Sequence, residues 1–423
     1  MGLDTLRPTR RDIAKGLTAG TGALLLAPGR LAAQPAVVDG LRVLRAGEAK
    51  PADARANAQS GYNGVTPGPL LRVKQGEEFG VRLNNELSKS TAIHWHGVRV
   101  PNILDGVPFV TQQPIRPGGH MDSRFIPPDA GTFWYHAPFV DQVDDGLYGP
   151  LVVEEASKVG VDRDIVLMLG RSGTSLMDIN GALLTELAVR TNERIRFRLI
   201  NALSTETVPL RFEGHRATIM AIDGQPSEPF IANEGRVVLG PGNRIDIFID
   251  ALQAAGKAMP LAVVIGSDAV VARIVYAAGS SARSAPLPDP SPLPANPLPQ
   301  RMDFVRALRR EINVGGPGPG WIPVDRPSDT PLAMFSVNRG RTVMLALSNR
   351  SDMARSIHLH GHSFRLLDRL DDGWKPFWLD TLIVQPGETV RIAFVADNRG
   401  TWAIESRAMV EGDPGRLMLF DAI

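Results

Sequence analysis

The chain has 423 residues with 46 basic and 45 acidic side chains, a formal charge of +1, so no broad electrostatic field draws it to nucleic acid or to an anionic membrane. It contains no cysteine, which excludes disulfides, thiolate nucleophiles and any metal site that takes sulfur from cysteine. The 42 glycines and 34 prolines, with only 6% aromatic residues, suit many short strands joined by turns, on a length that accommodates roughly two to four domains.

The chain opens with Thr9-Arg10-Arg11-Asp12-Ile13-Ala14-Lys15, a mildly apolar run from Leu17 to Ala27, and then Arg30-Leu31-Ala32-Ala33-Gln34. This pattern predicts a twin-arginine signal peptide over residues 1–33, cleaved after Ala33, and hence a periplasmic protein exported already folded. The apolar run is too short to span a bilayer, so no membrane span is expected.

From about residue 37 onward, short alternating apolar and polar runs are separated by Gly, Pro, Asn and Asp. Leu70–Val73, Gly80–Leu83, Arg194–Ile200, Arg244–Ile249 and Thr389–Phe394 all follow period two, which predicts strands that bury one face. Pro241-Gly242 and Pro386-Gly387 precede two of these runs as turns, and Pro67-Gly68-Pro69 opens an earlier one. Charged and small residues from Glu154 to Val161 mark one boundary. A stretch dominated by proline, residues 285–300, predicts an extended linker and a second boundary. Three β-sandwiches are therefore expected over 37–156, 160–284 and 301–423, with little helix.

Six of the eight histidines fall into three groups: His94-Trp95-His96, Trp134-Tyr135-His136 and His358-Leu359-His360-Gly361-His362. On a strand, residues i and i+2 point to the same side, so each His-x-His pair offers two imidazoles to one site. One such pair arises readily by chance, as two histidines satisfied by ordinary hydrogen bonds. Two pairs, each followed by Gly, point to metal.

These motifs resemble those of the multicopper oxidases, laccase-like enzymes of three cupredoxin domains, and the resemblance runs almost from end to end. It rests on Tyr62-Asn63-Gly64 through Val73, Ile93-His94-Trp95-His96-Gly97, Thr132–His136 with Asp145–Gly149, Ile357–Phe364 and Trp378-Leu379-Asp380-Thr381. The fold it implies is all-β, three consecutive cupredoxin-like Greek-key β-sandwich domains. It also implies copper, which in the family forms a type 1 blue centre that accepts electrons and a trinuclear cluster that reduces dioxygen.

Carried over position by position, His94 and His358 match the two histidines of the type 2 copper. His96, His136 and His360 match type 3 ligands, while three further type 3 histidines are replaced by Pro138, Glu405 and Arg407. Glu405 is a candidate substitute ligand, although a hard oxygen donor suits Cu(I) less well than imidazole. Asp105 matches a carboxylate that moves protons beside the cluster, and as a residue before Gly106 it also suits a plain turn. His120, His215 and His362 are read as structural. At the type 1 site the thiolate position holds Ser406, the histidine ahead of Ile357 is Arg355, and Glu411 and Arg416 follow. Arg355 and Glu411 are expected to pair across that pocket.

The resemblance therefore implies a periplasmic family member with a reduced histidine copper site, holding one or two ions rather than four, without a blue copper. It would bind copper or retain limited copper-dependent oxidoreductase activity. A non-catalytic scaffold, like the copper-free cell-division member of the family, is the alternative. A laccase-like oxidase fed directly at the remnant cluster by a small phenolic or metal-ion reductant is a third reading. No protein partner is identified by the sequence.

Overall fold

The structure is a computed structural model and describes residues 31–423 apart from 33, 51–58, 172–176, 266, 280, 317, 326–331 and 368–376. The expected signal peptide, save Leu31 and Ala32, lies outside the described residues.

Six sheets form three face-to-face pairs in chain order. In the first pair, Leu41–Ala49, Phe79–Asn85 and His120–Phe125 pack against Leu71–Lys74, Tyr148–Glu154, Gly131–His136 and His94–His96. The second pair is built around Arg163–Gly170, Arg194–Asn201 and Arg244–Asp250 on one side, with Val208–Phe212 and Ser267–Tyr276 on the other. In the third, Thr342–Ser348 and Thr389–Val395 face Arg355–Leu359, Gly400–Ala408 and Arg416–Ala422. The same Greek-key relation recurs in each: Leu41–Ala49 runs parallel to Phe79–Asn85, Arg163–Gly170 to Arg194–Asn201, and Leu308–Asn313 to Thr342–Ser348. The all-β sandwich architecture expected from the period-two runs, cupredoxin-like as the resemblance implies, is the one observed.

Each sandwich has its own apolar interior. Phe79, Trp95, Phe133 and Tyr135 fill the first, Phe197, Phe212 and Ile247 the second, and Phe364, Phe394, Trp402 and Phe420 the third. Each fully buried Phe or Ile of this kind contributes about 1.5–3 kcal/mol. Both Pro-Gly turns sit where expected, with Gly242 and Gly387 at φ +79° and +74°.

Two expectations are revised. Like its neighbour Arg244–Asp250, the strand Arg194–Asn201 buries both faces, not one. Its outer face turns toward the first sandwich, where Arg196 and Arg198 meet Asp246 at 2.5 and 3.4 Å and Arg198 also donates to Thr132 Oγ1 at 2.9 Å. The arginines that mimic a solvent face are thus paired charges in an interface. The proline-rich segment 285–300 has no helix or strand, but it is docked rather than free. Asn296 exchanges hydrogen bonds with the Ala130 backbone at 2.8 Å in both directions, and Leu293 packs on Met220 and Phe248.

Candidate metal centre

Strand pairing explains why the histidines meet. His94–His96 lies antiparallel to Gly131–His136, with His94 opposite His136. In the third sandwich, Arg355–Leu359 lies between Thr381–Val384 and Gly400–Ala408, so His358 faces Thr381 on one side and Glu405 on the other. The first and third sandwiches bring these edges together, and His94 Nε2 lies 3.3 Å from His358 Nε2. His94, His96, His136, His358, His360, Asp105 and Glu405 are all buried there.

The outer nitrogens decide what the inner ones can do. His94 Nδ1 lies 2.6 Å from the Asp105 carbonyl oxygen, and His136 Nδ1 2.7 Å from that of Ala137. His358 Nδ1 lies 3.1 Å from the Asp380 carbonyl and 3.0 Å from Thr381 Oγ1. Carbonyl oxygens only accept, so these three nitrogens carry hydrogen. The Thr381 hydroxyl donates to Asp380 Oδ1 at 2.8 Å, and its oxygen therefore accepts from His96 Nε2 at 3.0 Å.

In a neutral imidazole the second nitrogen is then a bare lone pair. Two such pairs face each other, His94 Nε2 with His358 Nε2 and His96 Nδ1 with His136 Nε2, both at 3.3 Å. Burial lowers the basicity of His96 and His136, and lowers His358 to about 4, which favours the neutral form. A buried acceptor without a donor costs about 1–3 kcal/mol. A cation between each pair removes that cost, so this donor set fits a soft or borderline metal such as copper. His94, His358 and His360, and separately His94, His96 and His136, have ligand atoms within 4.8 Å of one another.

The other half of the site is compensated by charge. His360 Nδ1 lies 2.9 Å from Asp105 Oδ2, and its Nε2 lies 3.4 Å from Glu405 Oε2. Burial opposes protonation, but the two carboxylates outweigh it and push His360 up to about 9. Glu405 is also bound by Arg407 Nε, whose Nη2 donates to the Pro138 carbonyl at 3.0 Å. Burial works against its ionisation too, yet Arg407 and His360 hold its carboxyl well below the usual range. The position read as a substitute ligand is therefore engaged in an ion pair, and His360 must surrender a proton before it can bind metal. A cavity of about 50 Å3 reaches this edge, lined by His96, His136, His358, Glu405 and Arg407 against Trp134 and Leu203.

Three participants escaped the sequence reading as site residues: Asp380, Thr381 and Arg244. Asp380 and Thr381 stood within a motif whose role was not assigned, and Arg244 comes from another sandwich. Asp380 Oδ1 lies 3.5 Å from His358 Nδ1 and 3.6 Å from His96 Nε2.

The pocket around Ser406 is different. Ser406 Oγ donates to the Val314 carbonyl at 3.0 Å, and Arg355 Nη1 lies 3.5 Å from it. The charge partner of Arg355 is Asp413, at 3.9 Å, and not Glu411 as expected. Asp413 folds back to accept from the Ala408 and Gly415 backbone amides, whereas Glu411 sits on the exposed turn beside Asp144 and Arg171. His215 bonds Tyr276 at 2.9 Å and His362 bonds the His360 carbonyl at 3.1 Å, while His120 is exposed.

Among the described residues no helix is long and apolar enough to cross a membrane. Residues 44–158, 131–267 and 304–412 each match a multicopper oxidase family domain. The chain is 28% identical over 411 residues to multicopper oxidase MmcO of Mycobacterium tuberculosis, covering 81% of this chain and 79% of that protein. Its fold is similar to the crystal structure of a multi-copper oxidase from Pseudomonas thermotolerans, with TM-score 0.78, 30% identity, and coverage of 90% of this chain and 98% of that one. Lac15 from a marine microbial metagenome is similar at TM-score 0.76 and 30% identity, over 90% of this chain and 99% of that one.

Proposed function

The chain belongs to the multicopper oxidase family, and on that premise we propose that it is a periplasmic copper-binding member with a reduced histidine site and no blue copper centre. His94 with His358, and His96 with His136, are the ligands that would hold copper, at one or two ions per chain, with His360 available once it is deprotonated. The observation that carries this reading is the two buried nitrogen pairs that face each other without a hydrogen between them.

Copper bound there would supply one-electron redox chemistry. The residues around it exclude bulk water, fix the imidazole tautomers, and keep an acid at hand: the Asp105–His360–Glu405 row holds a proton beside the ligands. The missing thiolate is decisive for the blue centre, since Ser406, Arg355 and Asp413 offer a hydroxyl, a guanidinium and a carboxylate in its place. A standard laccase cycle loses its usual point of electron entry. Any remaining oxidation would draw on a small phenolic or metal-ion reductant acting at the histidine site itself. The twin-arginine pattern at Arg10-Arg11 supports export to the periplasm.

A second reading, a copper-free scaffold, is favoured by the self-compensated half of the site, where His360 and Arg407 neutralise Asp105 and Glu405 without any metal. Metal analysis separates the two. Protein exported intact from cells grown with copper should carry one or two copper ions per chain, and His94→Ala combined with His136→Ala, which removes a donor from each pair, should abolish the binding. Protein that takes up no copper under those conditions contradicts the proposal and leaves the scaffold.

A further inference from the structure

Three sandwiches meet at one buried guanidinium. Arg244 follows the Pro241-Gly242 turn in the middle sandwich and is 0% exposed. Its Nε donates to the Thr132 carbonyl of the first sandwich at 3.2 Å, and its Nη1 to the Gly242 carbonyl at 3.1 Å. The fork then grips Asp380 of the third sandwich, with Nη1 to Oδ1 at 2.8 Å and Nη2 to Oδ2 at 2.6 Å. Such a planar two-point grip is beyond the reach of lysine, a single point charge.

Asp380 is the residue on which the tautomer of His96 turns, since His94, His136 and His358 each donate to a backbone carbonyl. Asp380 Oδ1 accepts the hydrogen bond of the Thr381 hydroxyl, which leaves Thr381 Oγ1 as an acceptor for both His96 Nε2 and His358 Nδ1 at 3.0 Å. Were Asp380 free to turn, the threonine hydroxyl would be free to donate to His96 Nε2, whereas His358 Nδ1 would keep the Asp380 backbone carbonyl as its acceptor. The tautomer of His96 would then reverse, and an N–H would occupy the direction of a metal-facing lone pair. Asp223 holds the same turn from the other side, accepting from the Arg244 amide at 3.0 Å and from the Asp380 and Thr381 amides at 3.3 Å. Gly97, one residue beyond His96 at φ +82°, is the space that admits the grip: a Cβ there would collide with Arg244 Nη2 and lie 2.6 Å from Asp380 Oδ2.

We propose that Arg244 is a positioning residue, through which the middle sandwich sets the tautomer of His96 by locking Asp380 and Thr381. As a statement about metal binding this rests on the copper-site reading above; as a statement about tautomers it stands on the metal-free protein. The route has a purpose in physical terms. The middle sandwich contributes no histidine to the centre, yet its docking would decide whether the His96 lone pair faces that of His136.

The test compares Arg244→Lys with Arg194→Lys. Arg194 makes the same kind of fork, to Asp250 at 2.7 and 2.8 Å, in the same sandwich but away from the histidines. Ring-nitrogen NMR of the metal-free protein reads the tautomers directly, with His96→Gln and His358→Gln assigning the signals. The wild type and Arg194→Lys should show His96 protonated at Nε2 and His358 at Nδ1, and Arg244→Lys should show mixed tautomers at His96 while His358 stays protonated at Nδ1. If Arg244→Lys does not fold, Thr381→Val, which removes the shared acceptor while keeping the shape, should produce the same mixing. Copper affinity should fall about 10–100-fold in Arg244→Lys, the usual loss on removing an outer partner of a ligand. Unchanged ring signals in a folded Arg244→Lys or Thr381→Val overturn the proposal, whatever the copper result. A wild type that takes no copper, but whose His96 tautomer depends on Arg244, overturns the copper reading and leaves the positioning role standing.

Discussion

The histidine site and the pocket around Ser406 lie on the same sandwich, only one strand register apart: His358 pairs with Glu405, and Ile357 with Ser406. At the first, ring nitrogens point at one another at 3.3 Å. At the second, a guanidinium, a hydroxyl and a carboxylate satisfy one another and the backbone. The contrast teaches that a β-sandwich holds charged and polar side chains in a buried pocket when they compensate each other. The first site has been compensated only in part, along the row from Asp105 through His360 and Glu405 to Arg407.

The largest effect should come from breaking the uncompensated half. His358→Ala combined with His136→Ala removes one donor from each facing pair, and copper affinity measured by chelator competition should drop by at least about 100-fold, beyond the loss expected for an outer partner. Retained binding would separate the two regions far less than their geometry does.

The next test addresses the compensated pocket. Asp413→Ala leaves Arg355 without its charge partner and two amides without their acceptor, and should destabilise the fold by about 1–3 kcal/mol in denaturant melts. Copper content should not change. A loss of copper instead would mean that the two regions are coupled.

Acid and base should then pull the metal-free protein in opposite ways. His358, lowered to about 4 by burial first of all, binds a proton more readily once unfolded, at about 6.5. Its contribution is therefore present above about pH 6.5 and lost as the pH falls toward 4. His360, raised to about 9 by Asp105 and Glu405 against burial, contributes stability fully present below about pH 6.5, which is lost as the pH rises through 9. Melting temperature against pH should decline on both sides, and His360→Gln should flatten the alkaline side. The smallest effect belongs to Glu411→Ala. That side chain is exposed, and its removal should shift stability by less than about 0.5 kcal/mol.

Much of this was legible in the chain. Strand periodicity placed Arg244–Asp250 and Thr389–Val395 almost to the residue, and the two His-x-His pairs announced a shared site because alternate residues share a strand face. What could not be read is what depends on tertiary docking. Period two cannot tell a solvent face from an interface of paired charges, so Arg196 and Arg198 looked exposed. Arg244 and Asp380 are 136 residues apart, and no local pattern links them. Asp413 and Glu411 differ only in which way a short turn folds back, and that is decided by the amides of Ala408 and Gly415. Glu405 and Arg407 alternate on one strand, and that spacing did carry a signal: a carboxylate and a guanidinium on the same face pair before either meets a metal.

The most direct measurement is anomalous X-ray scattering at the copper edge from crystals of copper-loaded protein. Peaks between His94 and His358, between His96 and His136, or at both, with none beside Ser406 and Arg355, are the predicted result. The absence of a peak at either histidine pair, or a peak in the Ser406 pocket, would contradict it.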